Sequence, residues 1–142
     1  MVCIYCAGKT QIGNSRARVR SNSVWRRRSC LTCQAVFTSI ETPELSSSLL
    51  VQKNDDYQPF VREKLYISIY NALSESPRRY EHSTQLTSTV IGKLLAGSHG
   101  SAIPQIEITN CCSSTLKRFD SSAYLRYVAI HASSSVRVLV KK

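Results

Sequence analysis

Residues 23–33 read Ser23-Val24-Trp25-Arg26-Arg27-Arg28-Ser29-Cys30-Leu31-Thr32-Cys33, so three arginines run straight into a Cys-x-x-Cys pair. A second pair, Cys3-Ile4-Tyr5-Cys6, stands at the start of the chain, with 23 residues between Cys6 and Cys30. Two residues between cysteines let both sulfurs turn toward one point. Two such knuckles offer four thiolates to a tetrahedral ion, for which zinc is the usual occupant. The spacer is longer than in a compact finger and fits a ribbon of short strands. A module of about 40 residues buries too little apolar surface to fold unaided, so the ion would hold it together. Two disulfides, or an iron centre of rubredoxin type, are the other uses of four such cysteines. A zinc ion held by Cys3, Cys6, Cys30 and Cys33 would be one per chain and closed by its ligands, with no open position for hydrolytic water. The adjacent Cys111 and Cys112 lie in an apolar-periodic segment and read as small buried residues.

The charge distribution points the same way. Residues 1–40 carry Lys9, Arg16, Arg18, Arg20, Arg26, Arg27 and Arg28 and no carboxylate, for +7 of the total +10. The remaining 102 residues hold 12 basic and 9 acidic side chains. A basic head on a nearly balanced body suggests that the head meets a polyanion and the body does something else. The plainer alternative is a solvated basic surface. In an extended strand Arg26 and Arg28 share one face and Arg27 the other, while Arg16, Arg18 and Arg20 alternate on a second strand and lengthen the stripe. Arginine forks suit phosphate oxygens and guanine edges, which makes DNA the expected polyanion. Trp25 either stacks on a base or packs against the ribbon.

Thr42-Pro43-Glu44 and Ser46-Ser47-Ser48 mark a junction, dividing the chain into residues 1–45 and 46–142. Residues 49–52 read as a strand, Asn54-Asp55-Asp56 as a turn, and Tyr57 as the start of a return strand. Pro59 precedes a helix carrying the stripe Leu65, Ile69, Ala72 and Leu73, which Ser76-Pro77 ends. Leu86, Val90 and Leu94 mark a second helix, stopping at Gly97-Ser98-His99-Gly100. Pro104 opens a third with Ile108, Cys112 and Leu116. Asp120 can cap a fourth that runs through Ala132, with Tyr124, Val128 and His131 on one side. The tail 136–140 alternates and reads as a short strand or a frayed end. The result is an α+β chain: a small metal ribbon, then a mainly helical domain with a β-hairpin. Lys53 and Lys64 flank the hairpin and the first helix start, where they suit an anion. No phosphate-loop motif occurs, and His82, His99 and His131 have no neighbouring nucleophile in the sequence, so an enzyme is not expected. No apolar run reaches roughly 18 residues and Met1–Cys6 lacks the layout of a signal peptide, so a cytoplasmic protein is expected.

From Met1 to about Ala132 the chain resembles the NrdR family, bacterial repressors of ribonucleotide reductase genes. The likeness is carried by Cys3-x-x-Cys6, Val24 to Cys33, Phe37-Thr38, Asn54-Asp55, Pro59-Phe60 and Glu63-Lys64-Leu65. It continues through Leu116-Lys117-Arg118-Phe119-Asp120 and Ala123-Tyr124-Leu125-Arg126-Tyr127. The resemblance implies a zinc ribbon joined to an ATP-cone. The ribbon would bind repeated operator boxes in double-stranded DNA through Arg16, Arg18, Arg26, Arg27 and Arg28. ATP or dATP in the cone would select the homo-oligomer able to bind them, at the bacterial nucleoid. By the same resemblance, Val51, Gln52, Lys53, Gln58, Lys64 and His131 would contact the nucleotide. Four of its positions depart from the family's usual residues: Asn14 for Asp, Gln52 for Lys, Gln58 for Glu and His131 for Tyr. The family's acidic C-terminal helix is also absent. A zinc-ribbon accessory nucleic-acid-binding protein with a nucleotide-blind cone is the alternative, and a detached reductase regulatory domain a third possibility.

Overall fold

Three antiparallel strands build the N-terminal part: β1 (Thr10–Arg18), β2 (Ser23–Cys30) and β3 (Val36–Glu41), in the order β1-β2-β3. They are seen in a computed structural model that describes residues 1–97 and 100–139, with the backbone alone at Arg20 and 132–139. The β1–β2 connection is a 3₁₀ turn, Val19–Ser21, closed by Asn22 in the left-handed region at φ 43°, which asparagine tolerates better than most residues. The ladder skips Gly13, so a bulge falls between Ile12 and Asn14. Among the described residues the core of this unit is Cys3, Cys30 and Phe37, with Ala35 packed beside them. So small an apolar cluster leaves the fold dependent on the four cysteines.

The chain divides into two units, Met1–Pro43 and Glu44–Lys142. The second opens with the hairpin of β4 (Leu50–Lys53) and β5 (Asp56–Pro59). Its two-residue loop places Asn54 at φ 54°, as a tight hairpin turn requires. Then come α1 (Arg62–Ala72), α2 (Arg79–Gly97), β6 (Ala102–Pro104), α3 (Gln105–Phe119) and α4 (Ser121–Leu139). The stripes expected from spacing are the buried faces: Leu65, Ile69 and Ala72 on α1 with Leu73 at its C-cap, Leu86, Val90 and Leu94 on α2, Cys112 and Leu116 on α3. Cys112 is fully buried and Cys111 half-buried. Asp120 caps α4, its Oδ1 accepting from the N–H groups of Ser122 at 2.8 Å and Ala123 at 3.1 Å.

Two expectations are corrected. Residues 102–104 form a strand, β6, lying parallel beside β4 with Val51 opposite Ile103, so the sheet order is β5-β4-β6. Three residues are too few to show alternation, and the partner strand lies about 50 residues away. The tail is neither a strand nor an end at Ala132, because α4 continues through Leu139. No glycine or proline interrupts residues 121–139, so nothing local stops the helix. Val140, and with it the end of that expected strand, lies outside the described residues, as do Ser98 and His99 of the expected turn.

Candidate metal centre, cationic face and cleft

The sulfurs of Cys3, Cys6, Cys30 and Cys33 all lie within 4.8 Å of one another, with Cys3–Cys33 at 3.7 Å and Cys6–Cys30 at 3.5 Å. A disulfide requires about 2.05 Å, so these thiols are not bonded in pairs. A tetrahedral ion with Zn–S bonds of ~2.3 Å sets sulfurs about 3.8 Å apart, close to the spacing found. Each knuckle closes through a left-handed residue directly after its second cysteine, Ala7 at φ 56° and Gln34 at φ 60°. The turns aim backbone N–H groups at sulfur: Tyr5 at Cys3 (3.4 Å), Thr32 and Cys33 at Cys30 (3.3 and 3.4 Å). Such donors stabilise thiolate. The Cys33 N–H is the main reason that the Cys30 thiol is lowered to about 6. Cys33 has an Ala35 N–H favouring its thiolate, yet the neighbouring sulfurs, Cys6 first, push it up to about 12. Four crowded thiolates repel one another, and a dication relieves that repulsion. The two knuckles touch at Gly8, where a Cβ would stand 2.5 Å from Thr32 Oγ1 and 3.3 Å from Cys30 Sγ. Glycine is required there by space.

The ladder registers sort the arginines of the ribbon. Trp25 pairs with Arg16, Arg27 with Asn14 and Thr38, and Ser23 with Arg18. Directly paired residues share a face, so Arg16, Arg18, Arg27 and Trp25 lie together. Arg16, Arg18 and Arg27 are exposed and that face has no carboxylate. The Arg16 guanidinium lies 6.0 Å from the centre of the Trp25 ring, so the half-buried Trp25 packs within the sheet and supports an arginine. The other face carries Arg26, Arg28, Phe37, Ser39 and Glu41. Arg28 is only 8% exposed, and its Nε donates to Ser39 Oγ at 2.8 Å. Arg26 forks onto Glu41 through Nε (2.8 Å) and Nη2 (3.0 Å). The Glu41 carboxyl is held below its usual range, first by the hydrogen bond from Arg26 and then by the charges of Arg26 and Arg28. Glu41 escaped sequence reasoning because it lies one residue beyond the basic head and meets its partners across a strand pairing.

In the second unit a cleft of about 270 Å³ opens between the hairpin, α1, α3 and α4. Val51, Lys53, Gln58, Lys64 and His131 all line it. Gln52 does not: side chains alternate along β4, and Gln52 Nε2 donates instead to the Asn54 carbonyl at 3.4 Å. The lysine one place later is therefore the one on the cleft side. Phe60, Val61, Leu65 and Ile108 form apolar walls, with Lys53 and Lys64 both exposed. The N-cap residue of α1, Val61, makes no side-chain cap, leaving first-turn N–H groups available to an anion. His131 Nε2 lies 2.9 Å from Ser68 Oγ, and its ring centre 4.2 Å from that of Tyr127. Burial pushes the His131 pKa down, which favours its neutral form, and Lys53 and Lys64 are the cationic side chains lining the cleft. Ser68, Thr109 and Tyr127 line the cleft too and were not anticipated. They come from three different helices, and no spacing links them. His82 is a packing residue, with Nδ1 2.7 Å from Ser76 Oγ and its ring edge-on to Phe119.

Residues 1–41 match the family model described as the N-terminal domain of transcriptional repressor NrdR-like proteins. The chain is 33% identical over 132 residues to the transcriptional repressor NrdR of Hyphomonas neptunium (strain ATCC 15444), covering 92% of this chain and 82% of that protein. It is 31% identical over 132 residues to the protein of the same name from Ehrlichia canis (strain Jake), covering 92% and 86%. A third relative of that name, from Symbiobacterium thermophilum, is 29% identical over 131 residues, covering 92% and 87%. No helix among the described residues is long and apolar enough to cross a membrane.

Proposed function

Because the chain belongs to the NrdR family, whose members are zinc-ribbon transcriptional repressors, we propose that its DNA binding is governed by an adenine nucleotide held in the cleft of the second unit. In this reading residues 1–45 are the DNA-binding domain and residues 46–142 an ATP-cone. ATP or dATP selects the homo-oligomer competent to bind operator boxes at ribonucleotide reductase genes, in the bacterial cytoplasm at the nucleoid. No catalytic step is assigned, since the relatives are repressors and a four-cysteine ion leaves no open position.

The observation that carries the DNA-binding part is the exposed face bearing Arg16, Arg18 and Arg27 with no acid on it. One ribbon touches few phosphates, so a single copy binds weakly and linked copies bind tightly when their spacing matches the boxes. Arg27→Ala is expected to weaken operator binding and to lower the salt slope by about one per ribbon engaged, since each phosphate contact releases about 0.9 counterion. Zinc content and oligomer size should stay unchanged. Binding isotherms across a salt series measure this, and an unchanged slope would remove Arg27 from the interface.

The nucleotide-sensing part is supported by the five expected residues lining one cleft, in which Lys53 and Lys64 would be the ones to meet phosphates. Lys64→Ala is expected to lower nucleotide affinity about tenfold, because a charge-assisted contact contributes roughly 1.5–3 kcal/mol. Calorimetry with ATP and dATP, followed by sizing, reads this. An intact protein that binds neither nucleotide would instead be an accessory nucleic-acid-binding protein with a structural cone.

A further inference from the structure

Glu41 is the only carboxylate of residues 1–43, and it is committed inside the ribbon sheet. Its Oε1 accepts from Arg26 Nε at 2.8 Å and its Oε2 from Arg26 Nη2 at 3.0 Å. Oε1 also accepts from Arg28 Nη2 at 3.3 Å. The third nitrogen of Arg26, Nη1, donates to Ser15 Oγ at 3.3 Å. Every nitrogen of the Arg26 guanidinium thus has a partner within the sheet, and the Arg28 fork is held by Glu41 and Ser39. This two-pronged arrangement is the one an arginine offers a DNA phosphate. Glu41 stands where that phosphate would stand, and being 45% exposed it still presents negative charge to an approaching backbone. Across the sheet, Arg16, Arg18 and Arg27 have no acid beside them.

We propose that Glu41 acts as an internal phosphate mimic, a positioning residue that withholds Arg26 and Arg28 from DNA, makes the opposite sheet face the docking face and keeps sequence-independent DNA affinity low. The physical reason is competition. A phosphate taking Arg26 must displace a fork already made and come to rest beside a carboxylate. On the opposite face a phosphate displaces only water and counterions. Nonspecific duplex DNA offers phosphates and no favourable base edges, so it loses most when two of the ribbon's six arginines are withheld. A purely structural role predicts something different: a half-exposed ion pair contributes little to stability, and its loss would not change the number of phosphates contacted.

The inference rests on the DNA-binding reading above, and the zinc-loaded full chain tests it on a labelled duplex of random sequence across a salt series. Glu41→Gln keeps the side-chain shape and removes the charge. It is expected to raise affinity about three- to tenfold and to steepen the salt slope by about one per ribbon, from one added phosphate contact. Arg26→Ala with Glu41 intact should leave affinity and slope nearly unchanged. In the Glu41→Gln background the same Arg26→Ala change should cancel the gain, a coupling that a double-mutant cycle reads directly. If Arg26→Ala alone lowers affinity and slope as Arg27→Ala does, Arg26 already holds phosphate and the proposal is overturned. An unchanged or lower affinity in a zinc-loaded, normally melting Glu41→Gln protein overturns it as well. Should Glu41→Gln lose zinc, the single Arg26→Ala variant decides. Failure of the unsubstituted zinc-loaded chain to bind the duplex at any salt removes the DNA-binding reading itself, and so separates the two failures.

Discussion

Cys30→Ser is expected to release zinc and unfold residues 1–43 while the helices of the second unit remain. Cys30 is buried, its sulfur receives the N–H groups of Thr32 and Cys33, and it lies 3.5 Å from the Cys6 sulfur. Among the described residues the unit's buried apolar core is Cys3, Cys30 and Phe37. Structural zinc contributes roughly 10–16 kcal/mol of apparent binding free energy at pH 7, and in so small a module that is folding free energy. A hydroxyl is a poor zinc ligand, so three thiolates and a serine cannot replace it. A chromogenic chelator measures released zinc and far-ultraviolet dichroism measures the helices. DNA binding should disappear with the metal. A serine variant that retained a full equivalent of zinc would refute the four-cysteine centre.

Ile69→Ala is the complementary case and should destabilise the other half. Ile69 is wholly buried in the cluster formed by α1 to α4 and β6. Deleting three carbons from such a site costs about 2–5 kcal/mol, from lost transfer energy and the cavity left behind. Domains of this size are stable by about 5–15 kcal/mol, so the loss is a large share. The helical transition should fall by roughly 10 °C or more, since each kcal/mol shifts a domain of about 100 residues by ~4–8 °C. Zinc content should not change. Ser68, the preceding residue, lines the cleft, so nucleotide binding should weaken at temperatures where α1 has melted. Scanning calorimetry with zinc readout tests both variants together. If either one removes zinc and helices in a single transition, the two units fold as one.

Several features were legible before any coordinates because they are local. Two Cys-x-x-Cys pairs specify their own knuckles, since two residues are the span over which both sulfurs can face one ion. The stripes at Leu65–Leu73, at Leu86–Leu94 and at Cys112–Leu116 announce their buried faces through the 3.6-residue period. Asp120 announces a helix start by the reach of its own side chain. The hairpin at Asn54-Asp55 is likewise readable, because its turn chemistry sits in two adjacent residues.

What only the tertiary structure decided involves partners far apart in the chain. Strand register put Arg26 and Arg28 with Glu41, 15 and 13 residues on, and left Arg16, Arg18 and Arg27 on the free face. A shift of one residue would have exchanged those sets, and composition is blind to that shift. The same alternation turned Gln52 away from the cleft and Lys53 toward it. β6 is a strand because β4 lies beside it. Ser68, Thr109 and Tyr127 joined the cleft only once three helices had packed. Spacing and periodicity encode contacts within a turn or a strand. Which charges end up neutralised, and which side chains share a cavity, depends on contacts that close long loops, and nothing in the neighbouring residues records them.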